Sequence, residues 1–282
     1  MKELIDLHTH STASDGSMSP QELVRHAAES GLSAVALTDH DTVEGVEDAL
    51  DEGRRIGLEV VAGLEISVDF KPEMHILAYF FGDAYKNIND TLVSMKKRRE
   101  ERNPKIIRKL NELGLDISMR EVEREARGNI VGRPHIARVL VNKSYASSIE
   151  DAFDRFLLSG RPAYFKKEKL TPAQGIGKII DAGGMPVLAH PILLGFDFDR
   201  LDALTADLKK AGLKGIEAIY AENSPEETQF LLKLGAKYNL LITGGSDFHG
   251  TFRTRVEIGR GLGNLEVPYR LLEALKGFAK EC

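Results

Sequence analysis

His8 and His10 in the segment DLHTHS stand two residues apart. On a strand, where side chains alternate, both imidazoles face the same side, a spacing that suits one metal ion. Further along, Asp15 follows in the turn STASDGS and His40 closes LTDH, while Glu65 and His75 bracket a hairpin in GLEISVDFKPEMHILAYF. His190 stands in LAHP, and Asp247 and His249 repeat the two-residue spacing in GGSDFH. Of the eight histidines, His26 alone falls inside an ordinary helix pattern, QELVRHAAES. A lone strand-end histidine is most often structural. Nine polar groups at corresponding strand ends are costly to gather unless they bind something. They make an oxygen and nitrogen donor set without sulfur. Nine donors exceed what one or two tetrahedral sites use, so about three divalent ions with some bridging are expected; imidazole mixed with carboxylate suits Mn, Fe or Zn better than Mg or Ca. Three such ions, offset by three carboxylates and a bridging hydroxide, leave a charge of about +2, for which a phosphate dianion is the natural guest.

The elements that must carry these residues are legible as short apolar runs. ELIDL, SAVALT, LEVVAG and HILAYF lie in the first third, and PVLA, GIEAI and LLITG in the last. They alternate with amphipathic stretches, the pattern of an α/β protein with parallel strands and helical crossovers. Three helix starts carry a capping box with proline at the first helical position: Ser19-Pro20-Gln21-Glu22, Thr171-Pro172-Ala173-Gln174 and Ser224-Pro225-Glu226-Glu227. The middle of the chain breaks the pattern. It is helical in period and highly charged, with no convincing strand before PAYF at 162–165. It is read as a helical insertion over 86–165 within a metal-binding unit formed by 1–85 and 166–282. The run MKKRREERNPKIIRK (95–109), with eight basic and two acidic residues, is either a solvated helix face or a phosphate-attracting surface.

Composition limits the alternatives. A chain of 282 residues that is 42% hydrophobic and 29% charged can bury a full core. Cys282 is the only cysteine, so neither an internal disulfide nor a cysteine-based zinc site can form. The net charge of −5 argues against a general nucleic-acid coat. No apolar run is long enough to span a bilayer and MKELIDLHTH lacks the core of a signal peptide, so a cytoplasmic location is expected, with no membrane and no obligate protein partner.

The nine residues, as a set running from residue 6 to 249, resemble the PHP (polymerase and histidinol phosphatase) superfamily: HxH, a following Asp, xDH, a Glu with a later His, a strand-end His, and DxH. The resemblance implies a distorted (β/α)7 barrel with a trinuclear metal centre. It further implies one ion on His8, His10, Glu65 and Asp247, a second on Glu65, His75 and His190, and a third on Asp15, His40 and His249. GRPHIARVLV (132–141), GRPAYFKK (160–167) and AHP (189–191) resemble the branch of small bacterial phosphoesterases acting on nucleotides. That branch removes the 3′-phosphate of nucleoside 3′,5′-bisphosphates, and some members trim short RNA from the 5′ end.

The expected chemistry is in-line attack on phosphorus by a hydroxide bridging the ions, with no protein nucleophile. Arg133 and His135 match the branch's substrate motif: a guanidinium can fork onto phosphate oxygens, and a histidine can donate to a phosphate or leaving oxygen. His190 and His249 join them as expected catalytic groups. Arg161, Lys166 and Lys167 are weaker candidates for a second phosphate, and Asn223, in AENSPEE, either touches substrate or shapes its turn. The expected partner is a small phosphorylated nucleotide or short RNA. Histidinol-phosphate phosphatase, an amidohydrolase-type C–N hydrolase and a catalytically silent PHP module stand as alternatives.

Overall fold

The computed structural model describes residues 3–126, 131–165 and 169–281. Seven strands, β1 (Ile5–Asp6), β2 (Ala34–Leu37), β3 (Glu59–Val68), β4 (Met74–Phe80), β5 (Met185–Leu188), β6 (Gly215–Tyr220) and β7 (Leu241–Gly245), form one sheet in sequence order. All adjacent pairs are parallel except β3–β4 and β4–β5. β4 runs back against β3, as the hairpin expected between Glu65 and His75 requires. The connection from Val68 to Met74 is too short for a helical crossover, so the chain must fold straight back.

The sheet curls until its edges meet. Leu7 N–H donates to Gly244 O at 3.1 Å, Asp247 N–H to His8 O at 2.9 Å and His10 N–H to Phe248 O at 2.9 Å, and Thr9 bridges Phe248 in parallel. The result is a nearly closed, distorted barrel. The seam needs glycine: a Cβ on Gly245 would lie 2.4 Å from His8 Cβ and 2.5 Å from His8 N. Leu7, Ala36, Leu77, Tyr79, Val187 and Val267 belong to one fully buried core.

All three expected capping boxes are present, at Ser19, Thr171 and Ser224, starting helices Pro20–Glu29, Pro172–Asp181 and Pro225–Lys237. Each box satisfies backbone N–H groups that the first helical turn leaves open, so each helix begins at a fixed residue. Helix Pro20–Glu29 buries Leu23, Val24 and Ala27 in a core with Val35, Leu37 and Ala49.

Two compact units divide the chain: Met1–Asp90 with Leu170–Cys282, which holds the barrel, and Thr91–Lys169. The second contains most of helix Asn89–Glu112, then Met119–Ala126, Arg133–Asn142 and Ile149–Ala152, with a π-helical turn at Phe153–Leu157. Ile106, Leu110, Val122, Ile136, Leu140 and Leu157 form its own core. PAYF is not a strand. Gly160 takes a positive φ of 84°, Ala163 N–H donates to Phe156 O and Tyr164 N–H to Arg161 O, so these amides close local turns and leave nothing for a ladder. Among the described residues no helix is long and apolar enough to cross a membrane.

Candidate metal centre

One end of the barrel collects the polar residues. His8 and His10 follow β1, His40 follows β2, His190 follows β5, and Asp247 and His249 follow β7. Glu65 lies near the end of β3. His75 lies at the start of β4, and because β4 runs antiparallel, its beginning stands beside the end of β3, with His75 opposite Ser67. Reversing one strand thus delivers its first residues to the rim that the parallel strands reach with their last.

Glu65 is the hub, fully buried, and its two oxygens face different neighbours. Oε1 lies 2.9 Å from His75 Nδ1 and 2.9 Å from His190 Nε2. Oε2 lies 3.3 Å from His8 Nε2, 3.3 Å from His10 Nε2 and 3.0 Å from His40 Nδ1. Asp247 Oδ1 approaches His10 Nε2 at 3.1 Å and His8 Nε2 at 3.5 Å. Asp15, whose side chain is half-exposed, stands 3.3 Å from His249 Nε2 and 3.7 Å from His40 Nε2. All nine sequence-predicted ligands therefore fall in one cluster. Four overlapping groups of donor atoms within 4.8 Å of one another emerge: His10, Asp15, His40 and His249; His8, His10 and Glu65; His8, His190 and Asp247; His40, Glu65 and His75.

The donor set fits divalent cations. Among the described residues, His8 Nε2, both ring nitrogens of His10, His40 Nδ1 and Glu65 Oε2 are buried with no hydrogen-bond partner. Orphaned polar atoms cost roughly 1–3 kcal/mol each, and ions accepting their lone pairs remove that cost. Without ions, protons take the cations' place. Burial disfavours charge on His10, but the carboxylates of Asp247 and Glu65 beside it outweigh burial and push its pKa up to about 10. His8 likewise rises, burial being overcome by Glu217, Glu65 and Asp247. His40, which burial dominates, falls to about 4. Burial raises Glu65 and Asp247, yet the surrounding imidazoles hold both well below the usual carboxylate range.

A further ring of residues, not singled out from the sequence, holds the donors in place. Glu217 on β6 is fully buried; its Oε1 meets His8 Nδ1 at 2.9 Å and its Oε2 accepts from His190 N–H at 2.7 Å. A carboxylate only accepts, so His8 carries its proton on Nδ1 and presents the Nε2 lone pair to the cluster. His249 Nδ1 lies 2.8 Å from Asp247 O, which fixes the same tautomer there. Asp6 accepts from His8 N–H, Ser246 N–H and Oγ–H, and Gly259 N–H, so it ties together both lips of the seam. Asp39 does the same for the Asp15 loop through Ser11 N–H and Oγ–H and Ser14 Oγ–H. The only available signal was an acidic residue set in an apolar strand, as in GIEAI and ELIDL. His190 and Asp247 take positive φ angles of 26° and 56°, a backbone strain that clusters at functional sites.

Arg133, His135 and Arg161, expected to meet substrate, belong to the second unit. In the second unit, Arg133 Nη1 donates to Leu157 O at 3.1 Å while its guanidinium lies over Phe153 and Tyr164, 5.9 and 5.7 Å from the ring centres. His135 Nδ1 accepts from Gly132 N–H at 3.0 Å, capping its helix. Arg161 is exposed. Lys166 and Lys167 lie outside the described residues. Asn223, in the barrel unit, is buried; Nδ2 donates to Ala218 O at 3.2 Å, and Oδ1 has no hydrogen-bond partner among the described residues.

Comparison with known proteins agrees with this chemistry. Residues 6–179 match the PHP domain family. A 5′-3′ exoribonuclease of Haemophilus influenzae is 34% identical over 250 residues, covering 88% of this chain and 91% of that protein. A 3′,5′-nucleoside bisphosphate phosphatase of Chromobacterium violaceum is 30% identical over 267 residues, covering 93% and 91%. The solved structure of a protein from Bifidobacterium adolescentis, described as a metal-dependent phosphoesterase, superimposes with a TM-score of 0.77 at 28% identity, covering 96% of this chain and 95% of that one.

Proposed function

We propose, from the premise that this chain belongs to the PHP domain family and is a metal-dependent phosphoesterase, that it hydrolyses phosphate esters of nucleotides and acts foremost on the 3′-phosphate of nucleoside 3′,5′-bisphosphates. One observation supports the phosphoesterase chemistry above others: nine nitrogen and oxygen donors converge with buried lone pairs unmet. The bisphosphate reading rests on the relative of that name and on GRPHIARVLV. A second reading, 5′-3′ trimming of short RNA, is favoured by the exoribonuclease at 34% identity.

Three ions, Mn before Fe or Zn, would be held by His8, His10, Glu65 and Asp247, by Glu65, His75 and His190, and by Asp15, His40 and His249. The division of Glu65 between two sets of imidazoles supports its bridging role. Such ions supply Lewis acidity toward phosphoryl oxygens and lower the pKa of water. The chain's own part is to orient. Glu217 and the carbonyl of Asp247 fix the tautomers of His8 and His249, so neither ring must reorganise during turnover. His190 and His249 belong to the proposed catalytic set as ligands, each turning Nε2 toward the cluster, beside Glu65 and Asp15. Arg133 and His135 are proposed substrate contacts on the strength of the sequence pattern, with Arg161, Lys166 and Asn223 as further candidates.

Phosphate release from adenosine 3′,5′-bisphosphate with Mn2+, beside 5′-AMP, histidinol phosphate and a short 5′-phosphorylated RNA, tests the reading. Chelator-sensitive release from the bisphosphate alone is expected. Mononucleotides from the RNA would favour the exoribonuclease, and silence on the bisphosphate and RNA would overturn the nucleotide assignment. Asp247→Asn should remove most bound metal and most turnover; unchanged metal content would remove Asp247 from the ligand set.

A further inference from the structure

The turn that leaves the DFH segment carries a residue with no part in the scheme above. Gly250–Arg253 is a single 3-10 turn directly after His249. It is pinned from two sides: Thr251 N–H donates to Ser17 Oγ at 2.8 Å, and Ser17 N–H donates to His249 O at 3.1 Å. The turn is therefore fastened to the loop bearing Asp15, and Arg253 leaves it from a fixed base.

From that base the guanidinium reaches inward. Nη1 donates to Asp247 Oδ2 and also lies 3.3 Å from Asp247 O, and Nη2 donates to Glu222. The Tyr220 hydroxyl donates to the same Asp247 Oδ2 at 3.0 Å and lies 3.4 Å from Arg253 Nη1. The two oxygens of Asp247 thus have separate duties. Oδ2 is saturated by one charged and one neutral donor. Among the described residues, Oδ1 faces the ring nitrogens of His10, His8 and His249 at 3.1, 3.5 and 3.5 Å.

We infer that Arg253, backed by Glu222 and joined by Tyr220, is a positioning residue that locks the Asp247 carboxylate into one-oxygen presentation, with Oδ1 for a metal ion and Oδ2 withheld. The inference rests on Asp247 being a metal ligand. Three features favour a positioning role over a grip on substrate phosphate. Both terminal nitrogens are engaged by carboxylates, which a phosphate would have to displace. The contacts are charge-assisted and partly shielded, which makes them among the stronger hydrogen bonds available. And Asp247 needs external support, because its backbone sits at a positive φ of 56°, a conformation that non-glycine residues hold only where their surroundings impose it. A partial rotation about the Cβ–Cγ bond would otherwise carry Oδ1 away from the ring nitrogens it faces.

Two effects oppose each other when the cation is removed. Asp247 gains charge density toward an ion, and it loses its fixed orientation. Partners that orient a metal ligand change affinity by about 10–100-fold when removed, so loss of orientation is expected to win. Metal-stripped Arg253→Met protein, titrated calorimetrically with Mn2+, should bind one ion about tenfold more weakly, with the remaining ions unchanged. Arg253→Lys should recover part of the loss, since it restores the charge without the fork. Glu222→Gln, which leaves Arg253 in place but removes its outer anchor, should give a smaller weakening and serves if the Met variant folds poorly. Phe252→Ser, on the same turn and 71% exposed, should bind all ions as the parent does.

Unchanged or tighter Mn2+ binding by both Arg253→Met and Glu222→Gln would overturn the inference. So would equal weakening at every ion together with a lowered thermal midpoint, the mark of general damage. Asp247→Asn separates the two levels: if it keeps its metal, the ligand assignment itself fails; if it loses metal while Arg253→Met does not, only the positioning role fails.

Discussion

A carboxylate whose two oxygens serve different imidazoles makes a sharp distinction between Glu65 and its neighbours. Glu65→Gln should cost more than one ion, because the amide keeps one acceptor oxygen and places a donor where the other stood. His75→Asn should cost one. Metal content by mass spectrometry of purified protein separates these outcomes, and equal losses would argue against bridging. Glu217→Gln should weaken metal binding about 10–100-fold without touching an ion, since it frees the His8 tautomer. Protonation gives a third expectation. With its pKa raised to about 10, the His10 ring carries a second proton at pH 7 in the metal-free protein, His8 is shifted the same way, and His40, lowered to about 4, stays neutral. Metal uptake must then expel protons, so affinity should climb with pH, and the calorimetric heat should depend on the buffer's ionisation enthalpy. Binding heats identical in two such buffers would contradict it. The nine donors could be picked out of the sequence because their type and spacing are unusual for strand ends. The residues that hold them could not. Asp6 and Glu217 look like single acids in apolar runs, and only the folded partners, up to 253 positions away, reveal why they are there.

Elements deliver those donors, and their limits are steric. Gly245 lies against His8 at the barrel seam, so Gly245→Ala should force the strands apart. Overpacking of this kind costs about 1–3 kcal/mol, read as a lowered denaturant midpoint, and metal affinity should fall with it because His8 moves. The seven strands and the three capped helices were legible because apolar period and capping chemistry are local signals. The reversal of β4 was legible too, as the hairpin between Glu65 and His75, its connection being too short to cross over. One feature was not. PAYF has the composition of a strand but sits after a left-handed Gly160, and its amides bond to Phe156 and Arg161 instead. Propensity yields there to context.

At the scale of the whole molecule, the cluster sets how stability depends on pH. A histidine whose pKa rises on folding stabilises fully below its unfolded value, near 6.5, and its contribution is lost as pH climbs through the folded value, about 10 for His10. The depressed carboxylates Asp15, Glu65 and Asp247 act oppositely: their contribution is present above the ordinary carboxylate range and lost as pH falls. The metal-free protein should therefore be most stable between about pH 5 and 6.5. Ions require neutral imidazoles, so the loaded protein's optimum should lie higher. Thermal midpoints across pH, with and without chelator, check this; coincident profiles would refute it.

The seam also orders events in time. Asp6 and Ser246, which stitch it, are 240 positions apart, while β1 meets β2 across fewer than thirty. Closing the longer loop from an open chain costs about 2 kcal/mol more, from the logarithmic growth of closure entropy, so the barrel should shut after its neighbouring strands have paired. The donors of one proposed ion lie on opposite lips, His8 and His10 on one and Asp247 on the other. They do not exist as a site until the last strand arrives. An ion bound there is a clasp on a finished ring: it should slow opening while leaving the speed of closing untouched.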